Sequence, residues 1–86
     1  MTSTMIERPP TARQLDVLRW VAKYIADKGY SPTNRDVCRA FGFKSPNAAQ
    51  VHLNPLRKRG LITWHEFRSR TIRLTPAGLE LVGGDA

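Results

Sequence analysis

No run of about 18 consecutive apolar residues occurs in this 86-residue chain, which excludes a membrane-spanning helix. The segment Met1 to Pro10 also lacks the apolar core of a signal peptide, so a cytoplasmic protein is expected. A single cysteine, Cys38, allows no internal disulfide and no zinc cluster. His52 and His65 stand alone, without carboxylate or thiol partners at ligand spacing, and read as structural; no metal or cofactor is expected. No nucleophile–base pair and no carboxylate pair is visible, so an enzyme is the weakest reading. The length leaves room for one small domain only.

Acidic residues are also scarce, seven against fourteen Lys and Arg, for a net charge of +7 and a pI near 10.6. The imbalance is local. Between Arg35 and Arg73 only Asp36 and Glu66 oppose nine cations, while the five cations and five anions elsewhere cancel. All the net charge therefore falls in one contiguous half, as expected of a surface that meets a polyanion; the alternative is a basic face kept for solubility.

What is present is a series of helix signals. Residues 1–10 are polar and contain Pro9-Pro10, and read as a flexible arm. Thr11-Ala12-Arg13-Gln14 has the spacing of a capping box, and Leu18, Val21, Ala22 and Ile25 follow as an amphipathic stripe that ends at Gly29. Trp20 and Tyr24 widen that buried face. Ser31-Pro32 is an extended lead-in to a second capping box, Thr33-Asn34-Arg35-Asp36, and the helix it opens runs to about Phe41. Val37 and Phe41 face the core, Gly42 stops the helix and Cys38 packs as a small apolar residue. Ser45 is a third N-cap, with Pro46 at the first helical position.

Two short helices joined through Gly42-Phe43-Lys44 have the spacing of a helix-turn-helix. At about 100° per residue, Ala49, Leu53 and Leu56 share the core face of the third helix. Asn47, Gln50, Val51, Asn54 and Lys58 fall opposite. Asn and Gln pair bidentately with adenine in the major groove and an aliphatic group meets a thymine methyl, so this face suits base edges as well as ordinary helix surface. Pro55 implies either a bend or a stop at Asn54 with a looser turn through Arg57-Lys58-Arg59.

Two β-prone runs, 61–65 and 70–74, flank Glu66-Phe67-Arg68-Ser69 and read as a hairpin. Alternation puts Leu61, Thr63 and His65 on one side and Ile62 and Trp64 on the other. With Arg68 and Arg70 near its tip, the hairpin is the wing of a winged helix, able to reach phosphates or the minor groove. Phe67 suits either a wedge between base steps or a packing or partner contact. Thr75-Pro76 opens a short last helix with Leu79, Leu81 and Val82, which packs on the core or on a second subunit. The expected fold is α+β, mostly α: a winged helix-turn-helix over residues 11–75, then a short C-terminal helix and tail over 76–86.

From Thr11 to Leu74 the chain resembles the N-terminal DNA-binding domain of LexA repressors, the regulators of the bacterial SOS response. The match lies in Thr11-Ala12-Arg13-Gln14, Gly29, Pro32-Thr33, the specific run Gly42-Phe43-Lys44-Ser45-Pro46-Asn47-Ala48-Ala49, His52-Leu53, Gly60, Ile62, Arg70 and Ile72-Arg73-Leu74. The resemblance implies operator contacts from Ser45, Asn47 and Ala48. Two carboxylates that follow in the family are replaced by Gln50 and Val51, so a half-site differing at one or two base pairs is expected. The serine–lysine peptidase and dimerisation domain of that family has no counterpart in these 86 residues, so self-cleavage is not expected of them. Ala77-Gly78 repeats the cleaved dipeptide by chance.

The expected function is thus sequence-specific recognition of double-stranded DNA by a transcriptional regulator of the repressor type, located at the nucleoid. Base contacts are expected from Ser45, Asn47, Ala48, Gln50, Val51 and Asn54. Backbone or wing contacts are expected from Thr33, Arg35, Lys44, Arg57, Lys58, Arg68 and Arg70. One module buries little surface, so a palindromic operator with a homodimer, or a partner protein, is expected. The alternatives are a winged-helix protein-interaction module and a nonspecific nucleoid-type binder.

Overall fold

A computed structural model describes residues 10–83. The arm read over 1–10 lies, apart from Pro10, outside the described residues, as do Gly84 and the last two positions. The elements run α1 (Ala12–Lys28), α2 (Asn34–Phe41), α3 (Pro46–Lys58), β1 (Ile62–Thr63), β2 (Arg73–Leu74) and α4 (Pro76–Leu81). This is the mostly helical winged helix-turn-helix that the sequence leads one to expect.

The three long helices start where local chemistry starts them. Thr11 Oγ1 accepts from the Gln14 backbone N–H at 3.1 Å while Gln14 Oε1 accepts from the Thr11 N–H at 3.0 Å. Thr33 and Asp36 repeat this reciprocal box at the head of α2, both bonds at 3.0 Å. Ser45 caps α3 through Ala48, and Pro46 occupies a first-turn position where no N–H is missed. Each side-chain cap is worth about 1 kcal/mol and together they fix the register of the buried stripes.

Those stripes close one core. Val17, Leu18 and Val21 of α1, Val37 of α2, and Ala49, Leu53 and Leu56 of α3 are fully buried, with Cys38, Leu61, Ile62 and Ile72 completing the cluster. Burial of each Leu, Val or Ile contributes roughly 1.5–3 kcal/mol. Around its rim runs a chain of ring contacts, Tyr30 to Tyr24 (5.9 Å), Trp20 (5.1 Å), Phe41 (5.9 Å), Phe43 (5.6 Å) and His52 (4.6 Å), which accounts for Trp20, Tyr24 and His52 as packing groups.

Helix α3 passes through Pro55 without stopping at Asn54 and continues to Lys58. Leu53 and Leu56, both fully buried, hold the helix to the core on either side of the proline. This packing offsets the lost backbone bond to Val51.

The hairpin is shorter than the alternation suggests. Only Ile62 with Leu74 and Thr63 with Arg73 pair, antiparallel. Leu61 and Ile62 are both buried, so the in–out alternation fails at its first step. Beyond Thr63 the ladder is replaced by side-chain bonds: Thr71 Oγ1 accepts from the His65 N–H at 2.9 Å. Phe67 and Arg70 sit at φ 63° and 57°, in the left-handed region that no strand contains.

Helix α4 closes the base of the wing. Thr75 donates its N–H to the Leu61 carbonyl at 3.0 Å and its hydroxyl to the Gly60 carbonyl at 2.6 Å. Gly78 lies so close that a Cβ there would stand 2.1 Å from the Leu61 carbonyl oxygen. Val82 packs against the core, whereas Leu79 and Leu81 remain exposed.

Candidate nucleic-acid interface

The turn between α2 and α3 is built by Gly42, whose φ of 70° lets the Phe43 N–H return to the Cys38 carbonyl at 3.0 Å. The Cys38 thiol then donates to the Ser45 carbonyl at 2.7 Å. This part-buried tie fixes the start of α3 against α2 and gives Cys38 a positioning role beyond simple packing.

Because Ala49, Leu53 and Leu56 point inward, the opposite face of α3 is presented outward. Asn47 and Asn54 are exposed, Val51 is 64% exposed and Ser45 is exposed at the N-cap, while Ala48 and Gln50 are half-buried. The amides are not independent. Asn34 Nδ2 donates to Gln50 Oε1 at 2.6 Å, and Gln50 Nε2 donates to Asn54 Oδ1 at 2.7 Å. Gln50 is thereby held in one orientation by a residue of α2. Asn34 was invisible as a site residue in the sequence, because its partner lies sixteen positions away.

The expected cations divide into two groups. Arg35, Lys44, Lys58 and Arg68 are exposed, and among the described residues none of them pairs with a carboxylate. They flank the outward face of α3, with Lys44 in the preceding turn and Lys58 at its C-terminal end. Arg57 and Arg70 are engaged within the protein instead. The Arg57 guanidinium lies 4.3 Å from the Trp64 ring centre and pairs with Glu66, whose carboxyl it holds below the ordinary carboxylate value. Arg70 donates to the Ser31 carbonyl at 3.0 Å, stands 3.4 Å from Asp36 and covers Tyr30 at 4.9 Å. Both arginines fasten the wing, one to α3 and the other to the α1–α2 connection.

Asp36 is itself locked. The Thr33 backbone N–H and the Tyr24 hydroxyl, at 3.1 Å, both donate to its carboxylate and hold it below its ordinary value, and Arg70 adds to the effect. The two acidic groups of the basic half are thus consumed internally, which leaves the exposed charge of one sign. Thr33 likewise spends its hydroxyl on the Asp36 N–H, and it is half-buried in the lining of the groove beside α3.

That groove, about 550 Å³, runs between the head of α2, the outward side of α3 and the wing. Asn34, Arg35, Gln50, Asn54, Phe67 and Arg68 line it. Asn47, Val51 and Lys44 are exposed but are not among its lining residues.

The profile of the LexA DNA binding domain family matches residues 7–71, from the end of the arm to the wing loop just before β2. The chain belongs to the LexA DNA-binding domain family. The LexA repressor of Aromatoleum aromaticum is 48% identical over 82 residues, covering 92% of this chain and 40% of that protein. The LexA repressor of Azoarcus sp. strain BH72 is 49% identical over 74 residues, and that of Halorhodospira halophila 43% over 67. The chain spans two fifths or less of the length of these relatives. Among the described residues of this LexA-type domain, no helix is long and apolar enough to cross a membrane.

Proposed function

We propose that this chain is the sequence-specific, double-stranded-DNA-binding module of a LexA-like transcriptional repressor, cytoplasmic and associated with the nucleoid. The observation that carries the reading is the outward face of α3. Exposed amides and an exposed valine stand there between unpaired cations, beside a wing that is tied down by two arginines. Helix α3 enters the major groove with Ser45, Asn47, Ala48, Gln50, Val51 and Asn54 toward base edges. Arg35, Lys44, Lys58 and Arg68 meet phosphates, with Thr33 at the edge of the footprint. Arg57 and Arg70 act on DNA mainly through the wing they hold in place. Gln50 and Val51, at the two positions where the resemblance implies carboxylates, favour an A·T pair where a carboxylate would select cytosine. Residues 11–75 form the binding unit, preceded by the arm over 1–10 and followed by a short C-terminal helix and tail over 76–86. The small footprint of a single module supports a palindromic operator bound by two copies, or binding together with a partner protein.

Binding titrations that compare Asn47→Ala with Lys44→Ala on a preferred and an unrelated duplex test the assignment. Asn47→Ala is expected to weaken only the preferred duplex, by roughly 1–3 kcal/mol. Lys44→Ala is expected to weaken both alike and to lower the salt slope by about one. Equal losses on both duplexes from Asn47→Ala would remove base readout from α3.

A further inference from the structure

Phe67 is fully exposed, at 103% of its reference area, whereas the next most exposed large apolar side chain among the described residues, Val51, reaches 64%. Its backbone is also in the left-handed region, φ 63°, which aromatic residues seldom occupy. Among the described residues no ring contact takes up the phenyl group.

The base beneath it is firmly held. The Arg68 N–H returns to the His65 carbonyl at 3.3 Å, and Thr71 Oγ1 accepts from the His65 N–H at 2.9 Å while donating to the Arg68 carbonyl at 3.2 Å. Arg57 grips Trp64 and Glu66 on one side, and Arg70 grips Ser31 on the other. A loop held by these bonds therefore presents the exposed ring next to Arg68, which pairs with no carboxylate among the described residues, across one groove from Gln50 and Asn54.

We infer that Phe67 is a DNA-distorting wedge, inserted from the minor groove against a base step beside the segment that α3 faces. The inference rests on the DNA-binding reading above. The ring supplies apolar surface that partly unstacks a step, and Arg68 supplies the adjacent phosphate contact. Pyrimidine–purine steps unstack most easily, so the preferred duplex carries TA or CA/TG under the wing. A second copy of the chain is the competing occupant of the ring, but the flanking Arg68 and the shared groove with the α3 amides favour nucleic acid.

The test uses the 86-residue chain and a duplex recovered from a random pool, with 2-aminopurine placed at successive steps. Wild type should raise the fluorescence at one step outside the α3 footprint, and replacing that step by AA should weaken binding. Phe67→Ala should abolish the rise and weaken binding about tenfold, whereas Phe67→Leu, still a wedge, should keep most of both. Phe67→Gly should bind as poorly as Phe67→Ala while melting at a higher temperature than wild type, because glycine accepts the positive φ. Unchanged affinity and fluorescence with Phe67→Ala would overturn the wedge and leave the DNA-binding reading standing. Loss of self-association with Phe67→Ala, with fluorescence unaltered, would also overturn it and assign the ring to a second copy. Recovery of no duplex by wild type would overturn both readings together.

Discussion

Gly78→Ala should destabilise the protein although it replaces glycine by the best helix former. The new Cβ would stand 2.1 Å from the Leu61 carbonyl oxygen and 3.0 Å from its carbonyl carbon. Both are backbone atoms of a buried residue, and that oxygen already accepts from Thr75. Relief requires α4 to withdraw by more than 1 Å, an order-of-magnitude figure set by ordinary van der Waals separation. Withdrawal strains the Thr75 bonds to Leu61 and Gly60 and lifts Val82 from the core. Overpacking costs about 1–3 kcal/mol and one weakened hydrogen bond about 1, against a propensity gain of about 0.5–1. The net loss is roughly 1–3 kcal/mol, which lowers Tm by about 5–20 °C in a domain of this size. Thermal unfolding followed by circular dichroism measures it, with Ala77→Gly as the control at a neighbouring exposed position. A Tm at or above that of wild type would mean that α4 is not seated on the Leu61 carbonyl, and the account of the wing base would fail.

Three further outcomes follow from the same geometry. Asp36 has its carboxyl held below the ordinary value near 4, so the unfolded chain binds the proton first and the stability Asp36 contributes is complete above that pH. Stability is lost as pH falls below about 4, and Asp36→Asn should flatten this acid limb in urea titrations; an unchanged limb would separate Asp36 from the wing clamp. Asn34→Ala frees the Gln50 amide, so discrimination at the base pair Gln50 reads should fall about two- to tenfold with the salt slope unchanged, as scored by binding to single-substituted duplexes. Undiminished discrimination would mean that the Asn34 bond does not orient Gln50. Arg70→Ala should lower Tm as well as DNA affinity, whereas a purely phosphate-contacting arginine would leave Tm alone.

What the amino-acid order discloses is mostly what is decided within one turn of chain. The boxes at Thr11 and Thr33, the Ser45–Pro46 start of α3 and the inward set Ala49, Leu53 and Leu56 are all fixed by partners three to four residues away, and each is found where the pattern puts it. The wing is less readable because its geometry is set by side chains. β-Propensity over 61–65 and 70–74 suggests a longer ladder, but Thr71 takes the place of a backbone partner and two residues adopt positive φ. Charge counting has the corresponding limit at the site. Arg57 and Arg70 contribute to the basic half as numbers, yet their carboxylate partners lie nine and thirty-four residues away and turn them inward. Asn34 is hidden for the same reason. Gly78 reads locally as a helix weakness and has its explanation only in the carbonyl it approaches.

The central claim, base readout by the outward face of α3, is tested most directly by selecting bound duplexes from a random pool at two salt concentrations, with wild type and with Asn47→Ala. The account predicts a recurrent motif, made of two inverted half-sites, that persists at the higher salt and is degraded by the substitution. Recovery of no motif, with salt-sensitive binding that Asn47→Ala leaves unaltered, would contradict it.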